Sequence, residues 1–254
     1  MIDTHCHLDF SDFDIDRQAV IARSRQAGVN HWVVPGVRLQ DFSRIYALQE
    51  PGILPALGLH PMFMTDHGAR DIEQLETWII REKPVAIGEI GLDYMAPIET
   101  HAAQALLLDQ QLALAKHHKL PVLLHVRKAH DQVLSRLRHF KLCCAGIVHA
   151  FNGSIQQANG YLALGFKLGF GGVVTRQRAK RIRQLAQTLP DDALVLETDA
   201  PDLPPENHLG QRNEPAYLTE VVETLAQLRQ VDQSRIIEMT NNNAHVILQL
   251  EQSQ

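Results

Sequence analysis

Two histidines one residue apart, His5 and His7 in the run Asp3-Thr4-His5-Cys6-His7-Leu8-Asp9, can hold a metal ion between their imidazoles. On an extended segment side chains alternate faces, so both rings point one way and Cys6 the other. Two ligands leave such a site incomplete. Suitable donors follow four later apolar runs: Glu89, His125, His149 and Asp199. Six donors exceed the needs of one ion and suit two ions about 3.5–4 Å apart sharing a carboxylate. We assign His5, His7 and Asp199 to one ion, His125 and His149 to the other, and Glu89 to both through its two oxygens. Imidazole and carboxylate suit zinc, manganese or nickel, and oxygen-loving magnesium less. Two such ions acidify a water and polarise a phosphoryl or carbonyl oxygen. Asp199 has a second oxygen to take the proton of that water, so Asp199 and Glu89 carry the catalytic expectation.

A scaffold must bring positions 5 and 199 together. Short apolar runs at Ile2–Leu8, His31–Val37, Ile53–Leu59, Pro84–Ile90, Pro121–Val126, Ala145–Phe151, Phe166–Gly171 and Leu194–Thr198 read as strands. Between and after them, helical patterns run over Arg17–Ala27, Phe42–Gln49, Ile72–Arg81, Ala102–His118, Asp131–Phe140, Ser154–Leu164, Ala179–Thr188 and Tyr217–Arg229. Asp71 reads as a cap before one helix, and Gly28, Gly52 and Gly165 as caps after others. Strands alternating with helices predict a parallel sheet, and eight such units are the count of a (β/α)8 TIM barrel. A doubly wound open sheet is the alternative, but the turn after the first strand lacks the glycines it would use. In a barrel, chemistry sits at the C-terminal strand ends. The donors fall there on strands one, four, five, six and eight. Arg235–Leu250 reads as an extra terminal helix, and the proline-rich loop Asp199–Pro215 as a functional one. No linker or repeat divides the chain, so residues 1–254 are expected to form a single domain.

Composition narrows the setting. The chain has 254 residues, 45% hydrophobic and 21% charged, as in globular proteins. A net charge of −5 supplies no global field for nucleic acid, so a local patch or bound metal would have to attract it. Three cysteines, two of them adjacent, do not make a disulfide framework. There is no secretory apolar region and no run near the ~18 apolar residues that span a bilayer. A cytoplasmic monomer with no membrane partner is expected.

Other residues gather near the same rim. His60, after the third strand, is placed to contact a substrate phosphate or to hydrogen-bond a ligand. Arg127 is placed to clamp a phosphate. Tyr94 is placed to stack on a base or close the pocket wall. Glu197 shares the inward face with Asp199 and is suited to orient a ligating histidine. Arg176, Arg178, Lys180, Arg181 and Arg183 form a basic run that either tracks a nucleic-acid backbone or is a solvated face. His117, His118, His130 and His139 fall on helices and read as surface residues.

These motifs resemble one family. Asp3-x-His5-x-His7, Gly58-x-His60-Pro61, Gly88-Glu89-Ile90-Gly91-Leu92-Asp93-Tyr94, Leu120-Pro-Val-Leu-Leu-His125-Val-Arg127, His149-Ala-Phe-Asn-Gly-Ser154, Glu197-Thr-Asp199-Ala-Pro201 and Arg212-Asn-Glu-Pro215 are similar to motifs of the TatD family of metal-dependent deoxyribonucleases, within the amidohydrolase superfamily. The resemblance runs from Ile2 to about Leu250. It implies a (β/α)8 TIM barrel of the metal-dependent hydrolase type, two divalent metal ions (zinc, manganese or magnesium), and hydrolysis of phosphodiester bonds in DNA, with single-stranded DNA the expected substrate. It places Arg212, in the eighth loop, over the site as a substrate-binding residue. The chain departs from the family pattern at Met95, at Asn152 and in Asn241-Asn-Asn-Ala-His-Val-Ile-Leu, none an assigned ligand. A C–N hydrolase acting on a small cyclic amide or nucleobase is the alternative function. Binuclear amidohydrolases often bridge their ions with a modified lysine on strand four, where this chain has Glu89. A non-catalytic metal store is the third reading, and the open rim argues against it.

Overall fold

The structure, a computed structural model, describes residues 1–250. Eight strands form one sheet in sequence order, every neighbouring pair parallel: β1 (Ile2–Asp3), β2 (His31–Pro35), β3 (Ile53–Leu57), β4 (Ala86–Asp93), β5 (Val122–Arg127), β6 (Gly146–Val148), β7 (Lys167–Phe170) and β8 (Leu194–Leu196). Helices α1 (Arg17–Gln26), α2 (Phe42–Tyr46), α3 (Asp71–Glu82), α4 (His101–His118), α5 (His130–Phe140), α6 (Ile155–Leu162) and α7 (Lys180–Thr188) return the chain between strands, and α8 (Leu218–Arg229) and α9 (Gln233–Leu248) follow the last strand. This is the barrel that the alternation predicts.

The sheet closes through hydrogen bonds outside the regular ladder. Thr4 N–H and Thr4 Oγ1 donate to Leu196 O at 2.9 and 2.8 Å, and Asp199 N–H donates to His5 O at 2.8 Å. Buried Asp3 completes the seam. Its Oδ1 accepts from Thr198 N–H at 2.9 Å and its Oδ2 from Thr198 Oγ1 at 2.6 Å.

Period-two alternation divides the apolar residues between two layers. Ile2, Val33, Ala56, Ala86, Leu123, Ile147 and Val195 pack together inside the barrel, joined by Ala244, Ile247 and Leu248 of α9. The terminal helix is therefore a plug for one end of the barrel. Trp32, Val34, Leu57, Ile87, Leu124, Val148, Leu168 and Leu196 belong to the larger layer between strands and helices.

Several boundaries differ from expectation. The ladder of β1 ends at Asp3, so His5 and His7 lie beyond it, in chain that stays bonded to both neighbours. Cys6 N–H donates to Val33 O at 3.1 Å and His7 N–H to Ala200 O at 2.7 Å. Cys6 is buried away from the site, as alternation requires. Asp71 is the first residue of α3 rather than its cap, with Oδ2 accepting from Gly68 N–H at 2.9 Å. Gly28 and Gly165 do end helical segments, with φ of +84° and +83°. His130 is a correction: it is buried at the start of α5, near Tyr161 and Asn152, rather than exposed. On α4, Leu106 is exposed while Gln104 and Gln111 are buried. Gln111 exchanges hydrogen bonds with the backbone of Leu59, and Gln104 with that of Asp93. Apolar periodicity cannot show this, because these inward residues are polar groups satisfying strand ends.

Candidate metal centre

The six expected donors converge at the C-terminal mouth of the barrel. Glu89 lies at the centre, buried, beside a register irregularity between Ile87 and Ile90 in the β4–β5 pairing. Such an irregularity re-aims a side chain. Glu89 Oε1 is 3.0 Å from His125 Nδ1, 3.1 Å from His60 Nε2 and 3.4 Å from His149 Nε2. Glu89 Oε2 is 3.2 Å from His5 Nε2 and 3.6 Å from His7 Nε2. Each oxygen thus faces its own set of imidazoles. Asp199 Oδ1 lies 3.7 Å from His5 Nε2, 3.8 Å from His7 Nε2 and 4.0 Å from His149 Nδ1. Ligand atoms about 2.1 Å from a shared tetrahedral ion stand about 3.4 Å apart. The donors fit divalent ions on this spacing and on their type.

At the mouth, three overlapping groups bring their ligand atoms within 4.8 Å of one another: His5 with His7 and Asp199, His5 with Glu89 and His149, and His60 with Glu89 and His125. The first is one of the two groupings expected; in the others, His149 goes with His5 and His125 with His60, rather than His125 with His149. His149 stands between the two halves, its ring stacked on His5 at 3.9 Å. His60, which the sequence places as a substrate or hydrogen-bond contact, reaches the same Glu89 oxygen as His125.

A second tier of carboxylates orients the histidines. Asp93 Oδ2 is 3.2 Å from His125 Nε2, leaving Nδ1 toward Glu89, and Asp93 Oδ1 accepts from Met95 N–H at 2.8 Å. Glu197 Oε1 lies 3.5 Å from His149 Nδ1 and accepts from Ala150 N–H at 2.5 Å. Such carboxylate–histidine pairs fix ring orientation and raise ligand basicity. Asp93 had no role from the sequence, although its place four residues after Glu89 was a readable signal.

Burial and charge set the protonation of the metal-free site. Burial alone would raise Glu89, but His60, His5 and His149 outweigh it and hold the carboxyl well below its usual range. Burial pushes His5 down to about 3 and His7 to about 4. It also lowers His60. It opposes the charge on His149 as well, yet Asp199, Glu89 and Glu197 lift that imidazole to about 10. His125 is raised because its hydrogen bonds to Asp93 and Glu89 outweigh its burial. Burial raises Asp199 to about 8, against the pull of His149. Without ions, protons on His149 and Asp199 offset the crowding of negative charge.

A cavity of about 530 Å³ opens over these donors. Its walls are largely apolar, including Phe10, Phe63, Phe151, Phe170 and Val174. Arg127 lines it with a half-exposed side chain, and its Nη1 is 3.8 Å from Asp93 Oδ2. Tyr94 stands off the cavity, stacked on His101 at 4.0 Å. Arg212 is also placed elsewhere. Its two terminal nitrogens each lie 2.8 Å from an Asp16 oxygen, and its guanidinium lies over the Phe13 ring. The basic run is partly structural: Arg176, Arg181 and Arg183 donate to Pro204 O, Asn152 O and Val174 O at 2.8, 2.6 and 2.9 Å. Arg178 and Lys180 remain exposed.

A parallel eight-stranded barrel with histidines and carboxylates converging at its C-terminal mouth defines a metal-dependent hydrolase of the TIM-barrel type. Comparison narrows the class. The family described as TatD related DNase matches residues 2–249, and the chain belongs to it. The metal-dependent hydrolase YjjV of Escherichia coli K12 is 41% identical over 250 residues, covering 97% of this chain and 96% of that protein. Its crystal structure superposes with a TM-score of 0.95 at 40% identity, over 99% of this chain and 98% of that one. The 3'-5' ssDNA/RNA exonuclease TatD of Musicola paradisiaca is 33% identical over 264 residues, covering 99% of each chain.

Proposed function

We propose that the chain is a two-metal phosphodiesterase that hydrolyses single-stranded DNA. The observation that carries this reading is Glu89, whose two oxygens face separate sets of imidazoles, as a carboxylate shared by two ions requires. His5, His7 and Asp199 would hold one ion, His125 and His149, with His60 beside them, the other, and Glu89 would serve both. Zinc, manganese and magnesium are the candidate ions, and the imidazole-rich donor set favours the first two. When bound, the ions supply positive charge for the phosphoryl oxygens and an acidified water.

The chain's own residues do the rest. Asp199 takes a proton at the carboxylate oxygen that does not face His5 and His7. Glu197 and Asp93 keep His149 and His125 in register. Arg127 pairs with a phosphate at the cavity lip. The apolar walls hold sugar and base and exclude bulk water. Tyr94 and Arg212 act by holding loops of the rim, Arg212 through Asp16. We propose that residues 1–254 work as one domain, a reading supported by a family match that spans nearly all of it. No described helix is long and apolar enough to cross a membrane, and we propose a cytoplasmic monomer.

The test is a substrate panel run with several metals: labelled single-stranded and duplex oligonucleotides, simple phosphoesters and cyclic amides. Nucleotide release from single-stranded DNA is expected, abolished by Asp199→Ala and by Glu89→Ala. Release that survives both changes would sink the assignment. Turnover of a cyclic amide with no action on DNA would replace it with C–N hydrolysis.

A further inference from the structure

A second group of metal-type donors sits on the outer helical layer. Glu76 on α3 and His117 and His118 at the end of α4 each offer one ligand atom, and these atoms lie within 4.8 Å of one another. His118 Nε2 is 3.0 Å from Glu76 Oε1. The His117 ring stands edge-on to His118 with 4.7 Å between centroids. His117 is exposed, and Glu76 and His118 are half-buried, so an ion has access from solvent.

The helix adds to the site. The last turn of an α-helix presents carbonyls without intrahelical partners and the negative end of the helix dipole. α4 is 18 residues long and ends at His118. A cation beside that end is favoured. The like charge in the same turn is directed elsewhere: Lys116 Nζ donates to Phe140 O at 2.8 Å. Topology separates this group from the catalytic mouth. α4 carries the chain back from the C-terminal end of β4 to the start of β5, so its last turn lies at the opposite end of the barrel.

We propose that Glu76, His117 and His118 form a third divalent-cation site that ties α3 to α4. Two imidazoles and one carboxylate select zinc, copper or nickel over magnesium or calcium. Three protein ligands leave the remaining positions to water. The ion is structural and takes no part in hydrolysis.

The full chain, stripped with chelator, is dialysed to equilibrium against zinc and its bound metal measured. The wild type is expected to hold one more zinc per chain than the His117→Ala/His118→Ala double variant, with hydrolysis and circular dichroism unchanged. Glu76→Gln is expected to weaken that same zinc alone, and it decides the matter if the double variant fails to fold. His139→Ala, in the shallow cleft that His139 shares with His117, is expected to keep every ion. Equal zinc in the wild type and Glu76→Gln at all concentrations would overturn the site, as would loss of the extra ion through His139→Ala.

Discussion

The carboxylate of Glu197 lies against the bare Cα of Gly169: a Cβ at that glycine would stand 2.0 Å from Glu197 Oε2. β7 is therefore shaped to admit a side chain from the end of β8, which in turn faces His149. Gly169→Ala is expected to push Glu197 aside and free the His149 ring. Loss of such a supporting carboxylate weakens metal binding about 10–100-fold. Metal titration checks this, with circular dichroism confirming the fold. Unchanged affinity would show that Glu197 does not act through His149.

Asp93→Asn tests the other half of the support. The amide oxygen still accepts from His125 Nε2–H, but without the negative charge that makes the carboxylate the stronger partner. One ion is expected to bind roughly 10–100-fold more weakly while the other is unaffected. Stepwise calorimetry separates the two. Equal weakening of both ions would mean that Asp93 serves the whole site rather than His125.

Stability and metal binding should depend on pH in opposite senses on the alkaline side. His149 titrates near 10 in the metal-free fold against 6.5 for the free side chain. The folded state holds that proton more tightly than the unfolded state. Its stabilisation is complete below pH 6.5 and is lost as pH rises through 10. Asp199, raised to about 8, acts with the same sign between its unfolded value of 3.8 and about 8. Chelator-stripped protein is thus expected to lose thermal stability from pH 6.5 to 10. The metal-loaded protein should stay flatter, because the ions replace those protons. Metal binding should release protons at neutral pH, measurable by calorimetry in buffers of different ionisation enthalpy. Absence of proton release would contradict the raised His149.

Leu248 of α9, 2% exposed, belongs to the barrel interior. Leu248→Ala is expected to cost about 2–5 kcal/mol in denaturant unfolding, the range for a buried leucine lost to a cavity. Since the plug is at the far end from the donors, kcat of the folded fraction should be unchanged. A fall in kcat without a fall in stability would place α9 in the chemistry instead.

Much of this arrangement was legible in the sequence because a parallel barrel presents its strand ends on one rim. Glu89, His125, His149 and Asp199 each follow an apolar run, and that periodicity alone puts them together. What was not legible depends on direction rather than position. His60 lies three residues past β3, and nothing in Gly58-Leu59-His60 says its ring turns back to Glu89. Arg212 sits in a rim loop, but its carboxylate partner Asp16 is 196 residues away in sequence. Helices end at Lys83, Lys119 and Lys141 with φ of +50°, +54° and +50°, a conformation that lysine side chains do not advertise. The polar inward face of α4 escaped for a similar reason: Gln104 and Gln111 serve backbone groups of other elements, which no pattern within the helix records.

The seam between β1 and β8 gives the chain a temporal property. Thr4 is made 192 residues before the Leu196 that it bonds, Thr198 and Asp199 of the same seam follow Leu196, and α9, which plugs the barrel, is made later still. A nascent chain that stops before Asp199 carries five of the six donors but lacks the seam that closes the barrel around them. The site is therefore expected to form only once the chain through Asp199 is free to close, and a product truncated before that residue is expected to lack activity.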